Sequence, residues 1–273
     1  SSRPKARGRI LDQPRLYHDL SYLWPIISPP GEYAGEAANW RRILKDKLGP
    51  AKPNIKHKVL ELGAGGGHIL SHLTKDFQAT AVDLSPPMLS LSRQLNPDVQ
   101  HHLGDMRTVR LGQTFDAVLI HDAISHMLTE ADLKATLATA KNHLRPGGIL
   151  LIAPEWVEEE FVGPKLFLWF RGNAEIKVTI QEYLHDPDPK DSQIESIYSY
   201  MIQTDGGVRI ERDLHINGLF PVSTWIGLFY EAGFNADRVS LPTNEGGYGG
   251  NMFIGSLPTG ETEYNRESAV PAL

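Results

Sequence analysis

The stretch Val59-Leu60-Glu61-Leu62-Gly63-Ala64-Gly65-Gly66-Gly67 decides the fold. Its first four residues have the apolar character of a short buried strand. A glycine-rich turn follows and leads into a helix that carries Ile69, Leu70 and Leu73. Glycine has no side chain, so a ligand can approach the backbone of such a turn closely. The stretch therefore predicts a strand-turn-helix unit of an open α/β sheet, with a ligand at the carboxyl end of the strand.

The alternation of strand and helix continues along the chain. Ser85 and Thr129 stand at typical helix starts, because their hydroxyl groups can accept hydrogen bonds from the free N–H groups of a first turn. Strands alternating with helices imply parallel pairing through right-handed crossovers. The fold class is therefore predicted to be α/β, with a doubly wound, mostly parallel seven-stranded sheet. Its further strands are indicated at 79–82, 99–103, 115–120, 149–152, 236–241 and 251–256.

The pattern changes late in the chain. Residues 175–218 alternate between apolar and polar positions, and turn sequences at 186–189 and 205–207 interrupt them. This pattern predicts a small antiparallel β insertion. The expected domain organisation is a flexible N-terminal tail and lid (1–32), a ligand-binding α/β core (33–174), the insertion (175–218), a final helix and strands that complete the core sheet (219–260) and a loose C-terminal tail (261–273).

Composition excludes several classes of protein. The chain has 273 residues with 27 Lys and Arg against 33 Asp and Glu, a net charge of −6, so a broadly basic nucleic-acid binder is excluded. It has no cysteines, which rules out disulfides, thiolate nucleophiles and cysteine-bound metals, and no metal site is predicted. No apolar run reaches the length of a membrane span or a secretory signal. We therefore expect a cytoplasmic protein with no nucleic-acid or membrane partner.

The residues around the glycine turn restrict the ligand. A dinucleotide fingerprint requires a sixth-position glycine, but counting from Gly63 that position is His68, and no P-loop Lys-Ser/Thr follows. Glu61, two residues before Gly63, would repel a pyrophosphate and suits an ammonium group. Asp83 comes 22 residues after Glu61, at the end of the second strand, where a carboxylate can accept both ribose hydroxyls.

A third element, Gly104-Asp105-Met106, follows the next strand. Asp105 can accept from an exocyclic amine and Met106 can lie against a purine ring, although a turn with a core methionine explains the same triplet. Taken together, the three elements describe a site for a nucleoside with an amino-acid tail, which is S-adenosylmethionine.

On these residues the sequence resembles the class I S-adenosylmethionine-dependent methyltransferases over residues 57–155. Phe115-Asp116-Ala117-Val118 and Leu144-Arg145-Pro146-Gly147-Gly148 belong to the same resemblance. It implies S-adenosylmethionine as the cofactor and assigns Tyr33 to its methionine carboxylate. The expected cofactor-binding residues are Tyr33, Glu61, Gly63, Ala64, Gly65, Asp83, Leu84, Met88, Asp105, Met106 and His121.

A narrower resemblance is to the N,N-dimethyltransferases of nucleotide-linked amino deoxysugars. It is carried by Asn96-Pro97-Asp98, by His102-Leu103-Gly104-Asp105-Met106-Arg107, by Pro154-Glu155-Trp156 and by Gly255-Ser256-Leu257-Pro258. The resemblance implies an amine acceptor, and an insertion that caps the acceptor or forms the interface of a homodimer. The chain departs from the pattern near its N-terminus, where it carries extra residues that include Pro29 and Pro30, and the pattern therefore does not assign one tyrosine to the acceptor.

Methyl transfer requires alignment of a nucleophile with the methyl carbon and a place for its proton. His121 and His126 follow the fourth strand, on the rim where the methyl group is expected, and a histidine can hold a proton near neutral pH. The candidate catalytic residues are His126, Tyr22 and His121. The resemblance assigns His126 to the amine, whereas His121 is also explained as a cofactor contact and Tyr22 as a lid residue.

The predicted function is S-adenosylmethionine-dependent methylation of a small molecule, favoured as N-methylation of an amine such as an amino sugar. The main alternative is an O-methyltransferase of a small hydroxyl or carboxylate metabolite. A basic clamp would mark it, with Arg171, Arg209 and Arg212 as candidates. A non-catalytic S-adenosylmethionine-binding module and a nicotinamide-dependent oxidoreductase are further alternatives.

Overall fold

Two β-sheets form the framework of the protein, whose computed structural model describes residues 14–242 and 250–259. Among these residues, no helix is both long and apolar enough to span a membrane. The strands are, in chain order, β1 (Lys58–Leu62), β2 (Gln78–Asp83), β3 (Gln100–Leu103), β4 (Phe115–Ile120), β5 (Leu144–Ile152), β6 (Lys165–Gly172), β7 (Lys177–His185), β8 (Gln193–Thr204), β9 (Gly207–Gly218), β10 (Asn235–Leu241) and β11 (Gly250–Ser256).

The larger sheet has seven strands in the order β10-β11-β5-β4-β1-β2-β3. Strands β3, β2, β1, β4 and β5 run parallel, while β11 is antiparallel to β5 and to β10. The chain order reverses between β1 and β4, and the crevice at the carboxyl ends of these two strands is where open α/β sheets bind ligands. The prediction of a doubly wound, mostly parallel seven-stranded sheet is confirmed.

Helices cover both faces of this sheet, so its central strands are buried on both sides. Ser85 caps one helix by accepting from the Met88 amide at 3.2 Å, and Thr129 caps another by accepting from the Asp132 amide at 3.1 Å. Both predicted helix starts are confirmed. The helices are α1 (Trp24–Ile27), α2 (Ala34–Leu48), α3 (His68–Leu73), α4 (Pro86–Leu95), α5 (Glu130–Asn142) and α6 (Val222–Glu231).

The smaller sheet is antiparallel, in the order β6-β7-β8-β9. It extends the expected insertion at 175–218 by one strand, because β6 begins at Lys165. Leu166, Leu168 and Phe170 alternate in this strand with Phe167 and Trp169, so both of its faces are apolar. The polar-apolar alternation that marks an ordinary antiparallel strand is therefore missing from its sequence.

Residues 14–33 also differ from the expectation of a flexible segment over 1–32. They form short 3-10 helices and α1, and Leu16, Leu20 and Leu23 are buried against Ile180 and Tyr200 of the smaller sheet. The segment is held to that sheet by the Asp213 carboxylate on β9, which accepts from the backbone amides of residues 15 and 16 at 2.9 and 2.8 Å. Burial of three leucines explains why this part is folded.

Candidate active site

The glycine turn after β1 is locked to the end of β2 by backbone hydrogen bonds. The amides of Gly63 and Ala64 donate to the Val82 carbonyl at 2.8 and 3.0 Å. The Gly65 amide donates to an Asp83 carboxylate oxygen at 2.7 Å. Gly63 and Gly65 have φ values of +74° and +53°, which favour glycine, and a Cβ on Gly63 would overlap the side chain of Ala123. The turn therefore leaves bare backbone facing the crevice.

Glu61 lies at the bottom of this crevice and is only 2% exposed. Its Oε2 atom has no hydrogen-bond partner among the residues that the structure describes. Burial raises the pKa of Glu61 to about 8, helped by the charges of Asp83 and Glu36 and opposed by His121. A buried carboxylate oxygen without a partner is costly, and a ligand ammonium group would satisfy it.

Asp83 stands beside the turn, at the end of β2. Its second oxygen accepts from the Ser85 amide at 2.8 Å, and burial raises the pKa of its carboxyl above the usual range. Leu84, next to it, is a large apolar side chain that is 47% exposed. Met88 lies under the turn, where its Cε atom would be 3.6 Å from a Cβ on Gly65. A carboxylate beside an open apolar wall fits a ribose and its base.

The side chains of Asp105 and Met106 differ in whether they are available to a ligand. The Asp105 carboxylate pairs with the Arg107 guanidinium at 2.6 Å, which keeps the pKa of Asp105 below its usual range. Arg107 in turn contacts Asp132 at 2.8 Å. The Met106 side chain packs against the backbone at Gly63. Met106 therefore lines the crevice, while Asp105 is engaged by its own neighbour.

Tyr33 and Trp24 close the crevice on the side of α3. The Tyr33 hydroxyl is 2.8 Å from the Ser28 hydroxyl, and its ring meets the His68 ring edge-on with centroids 5.2 Å apart. Trp24 stacks on the same imidazole at 5.7 Å. Burial raises the pKa of Tyr33, so its hydroxyl stays neutral.

The residues in the crevice fit S-adenosylmethionine. Glu61 has a carboxylate oxygen without a partner among the described residues, and Asp83 provides a second carboxylate on the next strand. The glycine turn and the apolar side chains around it complete the crevice.

The rim after β4 carries a buried ion pair. His121 Nε2 lies 2.5 Å from Glu36 Oε1 and 3.4 Å from Asp122 Oδ1. Burial opposes protonation of His121, but these two carboxylates outweigh it and raise the pKa of His121 to about 10. For Glu36, burial is likewise outweighed by His121, so the pKa of Glu36 is lowered. The imidazolium therefore links α2 to the rim.

His126 faces Tyr17 and not Tyr22. Its Nε2 atom is 3.4 Å from the Tyr17 hydroxyl, and the two rings meet edge-on at 5.5 Å. Burial, with a contribution from His215, lowers the pKa of His126 to about 4, so its imidazole is neutral at pH 7. Tyr22 is 40% exposed and its hydroxyl contacts the Arg209 guanidinium. The structure thus brings His121 and His126 to one rim and leaves Tyr22 apart.

The inner face of the smaller sheet adds a polar layer opposite this rim. Glu182 is buried and accepts from the Ser196 hydroxyl at 2.7 Å. Asn217 Nδ2 is 3.4 Å from Glu155 Oε2, and Asn217 Oδ1 is buried without a partner among the described residues. Polar groups in this position are ready to accept or donate to a ligand.

The rim and this layer face each other, because the charge of Asp122 acts on Glu155 and the Glu155 carboxylate reaches Asn217 of the layer. We call the space bordered by these residues the cleft. Burial raises the pKa of the Asp122 carboxyl to about 6, with His121 opposing, while the side chain is 58% accessible, so the carboxylate is open to solvent and charged at pH 7. His121 acts on the charges of both Glu61 and Asp122 and so links the crevice to the rim.

Sequence reasoning missed Glu36, Glu182 and Asn217. Glu36 lies one turn after Tyr33 on the same side of α2, so helical spacing from Tyr33 was a usable signal. Glu182 shares its face of β7 with the buried residues Ile180 and Leu184, and an acid in an otherwise apolar face was a second signal. For Asn217 no comparable sequence signal existed.

The comparisons with known proteins agree with this geometry. A family model described as a methyltransferase domain matches residues 59–148. The chain is 29% identical over 243 residues to the dTDP-3-amino-3,4,6-trideoxy-α-D-glucopyranose N,N-dimethyltransferase of Streptomyces venezuelae, covering 87% of this chain and 95% of the relative. It is 28% identical over 208 residues to the dTDP-3-amino-3,6-dideoxy-α-D-glucopyranose N,N-dimethyltransferase of Streptomyces fradiae, covering 75% and 78%.

Two solved structures share the fold. The crystal structure of Streptomyces venezuelae DesVI superposes with a TM-score of 0.73 at 26% identity, covering 89% of this chain and 97% of that one. The sugar N-methyltransferase KedS8 of a Streptoalloteichus species superposes with a TM-score of 0.74 at 23% identity, covering 94% and 96%. Fold, site and comparisons together define a class I S-adenosylmethionine-dependent methyltransferase.

Within that class, the protein is similar along most of its length to the N,N-dimethyltransferases of dTDP-linked amino deoxysugars. The resemblance predicted from the sequence is confirmed. So are the methyltransferase activity and S-adenosylmethionine as the methyl donor, whereas the roles of individual site residues stay predictions.

Proposed function

We propose that the acceptor is the amino group of a small nucleotide-linked deoxysugar, which this enzyme methylates on nitrogen. The observation that carries the proposal is the acidic cleft. Glu155 is tied through its amide to Ser125, next to the neutral His126, and the charge of Asp122 acts on it. Such a cleft attracts a cation, and the amine of a sugar is a cation near neutral pH. The named substrates of the curated relatives agree with this choice.

In the proposed complex, the residues of the crevice divide the cofactor between them. Glu61 binds the ammonium group, Tyr33 the carboxylate and Asp83 the ribose hydroxyls. Leu84, Met88 and Met106 provide the apolar surface for the base, and the turn at Gly63, Ala64 and Gly65 lies along the methionine tail. Asp105 is assigned to the edge of the base, where its contact would compete with its pairing to Arg107. Bound in this way, the cofactor supplies an activated methyl group on a sulfonium.

His126 and Tyr17 are the residues that we assign to the acceptor nitrogen. A neutral imidazole can accept a hydrogen bond from an amine, and the Tyr17 hydroxyl at 3.4 Å restrains its ring. His121 is assigned to the rim, where its ion pair with Glu36 holds the carboxyl end of β4 beside the sulfonium. Tyr22, whose hydroxyl contacts Arg209, is assigned to the outer surface of the lid.

The O-methyltransferase alternative is less well supported. Two of its three candidate basic residues already have acidic partners: Arg171 with Glu32 at 3.2 Å and Arg209 with Glu211 at 3.5 Å. The acids in the cleft would also repel a carboxylate acceptor. These charges favour the amine.

The test is a direct methylation assay with S-adenosylmethionine and dTDP-3-amino-3,4,6-trideoxy-α-D-glucopyranose, read by mass spectrometry. We expect successive addition of methyl groups to this probe. The matched control is the same nucleotide sugar with a hydroxyl group in place of the amine, which should stay unmodified. Methylation of the hydroxyl analogue, or of neither compound, would contradict the proposal.

The homodimer belongs to the same proposal and rests on the outer face of the smaller sheet. One row of paired residues across all four strands, Leu166, Tyr183, Ile197 and Leu214, is exposed. A second row pairs Phe170, Thr179, Met201 and Ile210. An apolar patch of this extent is unusual on a monomer, and a two-fold axis would cover it with the same face of a second copy.

Ile197→Asp places a charge in the centre of this face, and light scattering should show a monomer. The matched control is Ile55→Asp, an exposed isoleucine away from the sheet, which should leave the mass unchanged. If the wild-type protein is monomeric at micromolar concentration, the proposed homodimer is refuted. The cytoplasmic location stays a prediction.

A further inference from the structure

Glu155 is a half-buried acid that the assigned roles leave unused. It follows β5, and its backbone amide donates to the Ser125 hydroxyl at 3.1 Å, which places it against the residue that precedes His126. Its carboxylate has one side-chain partner in the described part of the chain, the Asn217 amide at 3.4 Å. That is a long hydrogen bond, so the carboxylate oxygens are available to a ligand.

The surroundings of Glu155 bring the pKa of its carboxyl close to neutral pH. Burial, followed by the charges of Asp122 and Glu182, raises the pKa of Glu155 to about 8, while His121 opposes the shift. The neighbouring groups on the other elements are the hydroxyls of Tyr17 and Tyr198, both of which stay neutral because burial raises their pKa values. Glu155 therefore gains or loses a proton in the range where a sugar amine does.

We propose that Glu155 accepts the proton of the acceptor ammonium ion and thereby frees the nitrogen lone pair for attack on the methyl group, with Asp122 as its electrostatic partner. The inference rests on the proposed amine acceptor. Binding of the ammonium ion first displaces the proton of Glu155 to water. One proton then passes from nitrogen to the freed Glu155 oxygen, and the electron pair of the N–H bond stays on nitrogen. That pair forms the N–C bond, and the pair of the C–S bond leaves with sulfur.

The charge balance explains why the cleft is acidic. The positive charge of the sulfonium reappears on nitrogen as a methylammonium ion, beside Asp122. Once Glu155 has released its proton to water, the methylammonium ion can lose its own proton in the same way. A second methyl group can then be added to the same nitrogen.

The other titratable groups at the rim are less suited to take this proton. His126, with a pKa of about 4, holds a proton poorly at pH 7. His121, with a pKa of about 10, already carries one. Asp122 has a pKa of about 6 and is the weaker base of the two acids in the cleft. A general base works best when its pKa lies near the working pH, and both acids meet that condition. Position selects Glu155, because its amide is tied to Ser125, next to His126, and its carboxylate has only the long contact with Asn217.

The test uses the full chain with Glu155→Gln, and Glu158→Gln as the matched control, an exposed acid three residues further on. With the dTDP-amino sugar probe above, we expect kcat of Glu155→Gln to fall at least about 100-fold. The affinity for S-adenosylhomocysteine should stay within about twofold. Glu155→Asp, which keeps a carboxylate, should recover part of kcat, and Glu158→Gln should match the wild type.

A second readout is the proton count on binding, obtained by calorimetry at pH 7 in two buffers of different ionisation enthalpy. The free wild-type protein holds a proton on Glu155, and binding of the ammonium probe in the presence of S-adenosylhomocysteine should release close to one proton. Glu155→Gln should release none, and the hydroxyl analogue should release none from either protein.

The outcomes separate the two proposals. If the wild type does not methylate the amine probe, the proposed acceptor fails. If it does, and Glu155→Gln keeps its kcat and releases the same number of protons, the role of Glu155 is refuted while the acceptor stands. A fall in kcat with an equal fall in S-adenosylhomocysteine affinity, without recovery in Glu155→Asp, would also refute it.

Discussion

The crevice assigned to the cofactor and the cleft proposed for the acceptor are built in different ways. The crevice takes its main residues from two consecutive βα units, with Glu61 and Asp83 at the ends of neighbouring strands, and backbone hydrogen bonds join its parts. The cleft is assembled from distant segments: Tyr17, Asp122, Glu155 and Asn217 come from four separate regions of the chain. A locally encoded crevice can stay constant while a cleft made by tertiary packing changes its substrate.

The largest expected effect comes from a substitution in the crevice, whose residues lie close together in the sequence. Gly65→Val puts a branched side chain at φ +53° on backbone that faces the cofactor, and we expect calorimetry to detect no S-adenosylmethionine binding. Gly112→Val is the matched control, because Gly112 has φ +68° but open, exposed surroundings. Equal binding of S-adenosylmethionine by both variants would show that the turn is not part of the cofactor site.

His126→Ala changes the cleft proposed for the acceptor. The turnover number for the amine probe should fall by about 100-fold, because the acceptor nitrogen loses its hydrogen-bond acceptor and its alignment. The dissociation constant of S-adenosylmethionine should change little. His57→Ala, at the opposite end of β1, should leave both constants as in the wild type. Equal losses of turnover and affinity in His126→Ala would indicate that the two sites are not separate.

A smaller effect is expected from Asp83→Asn. The amide keeps the shape of the side chain but loses charge-assisted hydrogen bonds to the ribose, and cofactor affinity should fall about tenfold. Asp116→Asn is a close control, since Asp116 also accepts from a backbone amide, at 2.7 Å, but at the far end of the sheet. An unaltered dissociation constant for Asp83→Asn would refute the ribose assignment.

The smallest effect sharpens the electrostatic description of the crevice. Glu61 has a folded pKa of about 8 against a usual value near 4.5, so the folded state binds its proton more tightly than the unfolded state. The free energy of unfolding should therefore fall as pH rises from about 5 to about 8. Relative to Glu61→Gln, the melting temperature of the wild type should drop by a few degrees for each pH unit in this range, because one unit is worth about 1.4 kcal/mol and each kcal/mol about 2–4 °C. Parallel pH curves for the two proteins, measured by calorimetry without cofactor, would show that Glu61 is not protonated in the folded state.

Sequence patterns predict the crevice and its supporting strands and helices well. The strand at Val59, the caps at Ser85 and Thr129 and the acid pair at Glu61 and Asp83 all depend on near neighbours in the chain, so periodicity and turn chemistry are sufficient to find them. The same holds for two of the three hairpins of the smaller sheet, β7-β8 and β8-β9, where Asp, Pro and Gly mark the turns.

The cleft is harder to predict because its residues gain their meaning only from packing. Tyr17 takes the place expected for Tyr22 because burial of Leu16, Leu20 and Leu23 sets the path of residues 14–33. Glu155 could be noted as a pocket residue from its position after the fifth strand. Its raised pKa depends first on burial by the surrounding fold and then on the charges of Asp122 and Glu182, which no spacing in the sequence relates to it.

Tyr17 has one further consequence. Its carbonyl accepts from the Ser85 hydroxyl at the start of α4, and its phenol lies against His126. A single residue thus contacts both the helix that follows Asp83 and the histidine assigned to the acceptor. If Tyr17 moves to release a spent cofactor, its contact with His126 is lost as well, and the two methyl groups of the proposed reaction would then be added in separate binding events.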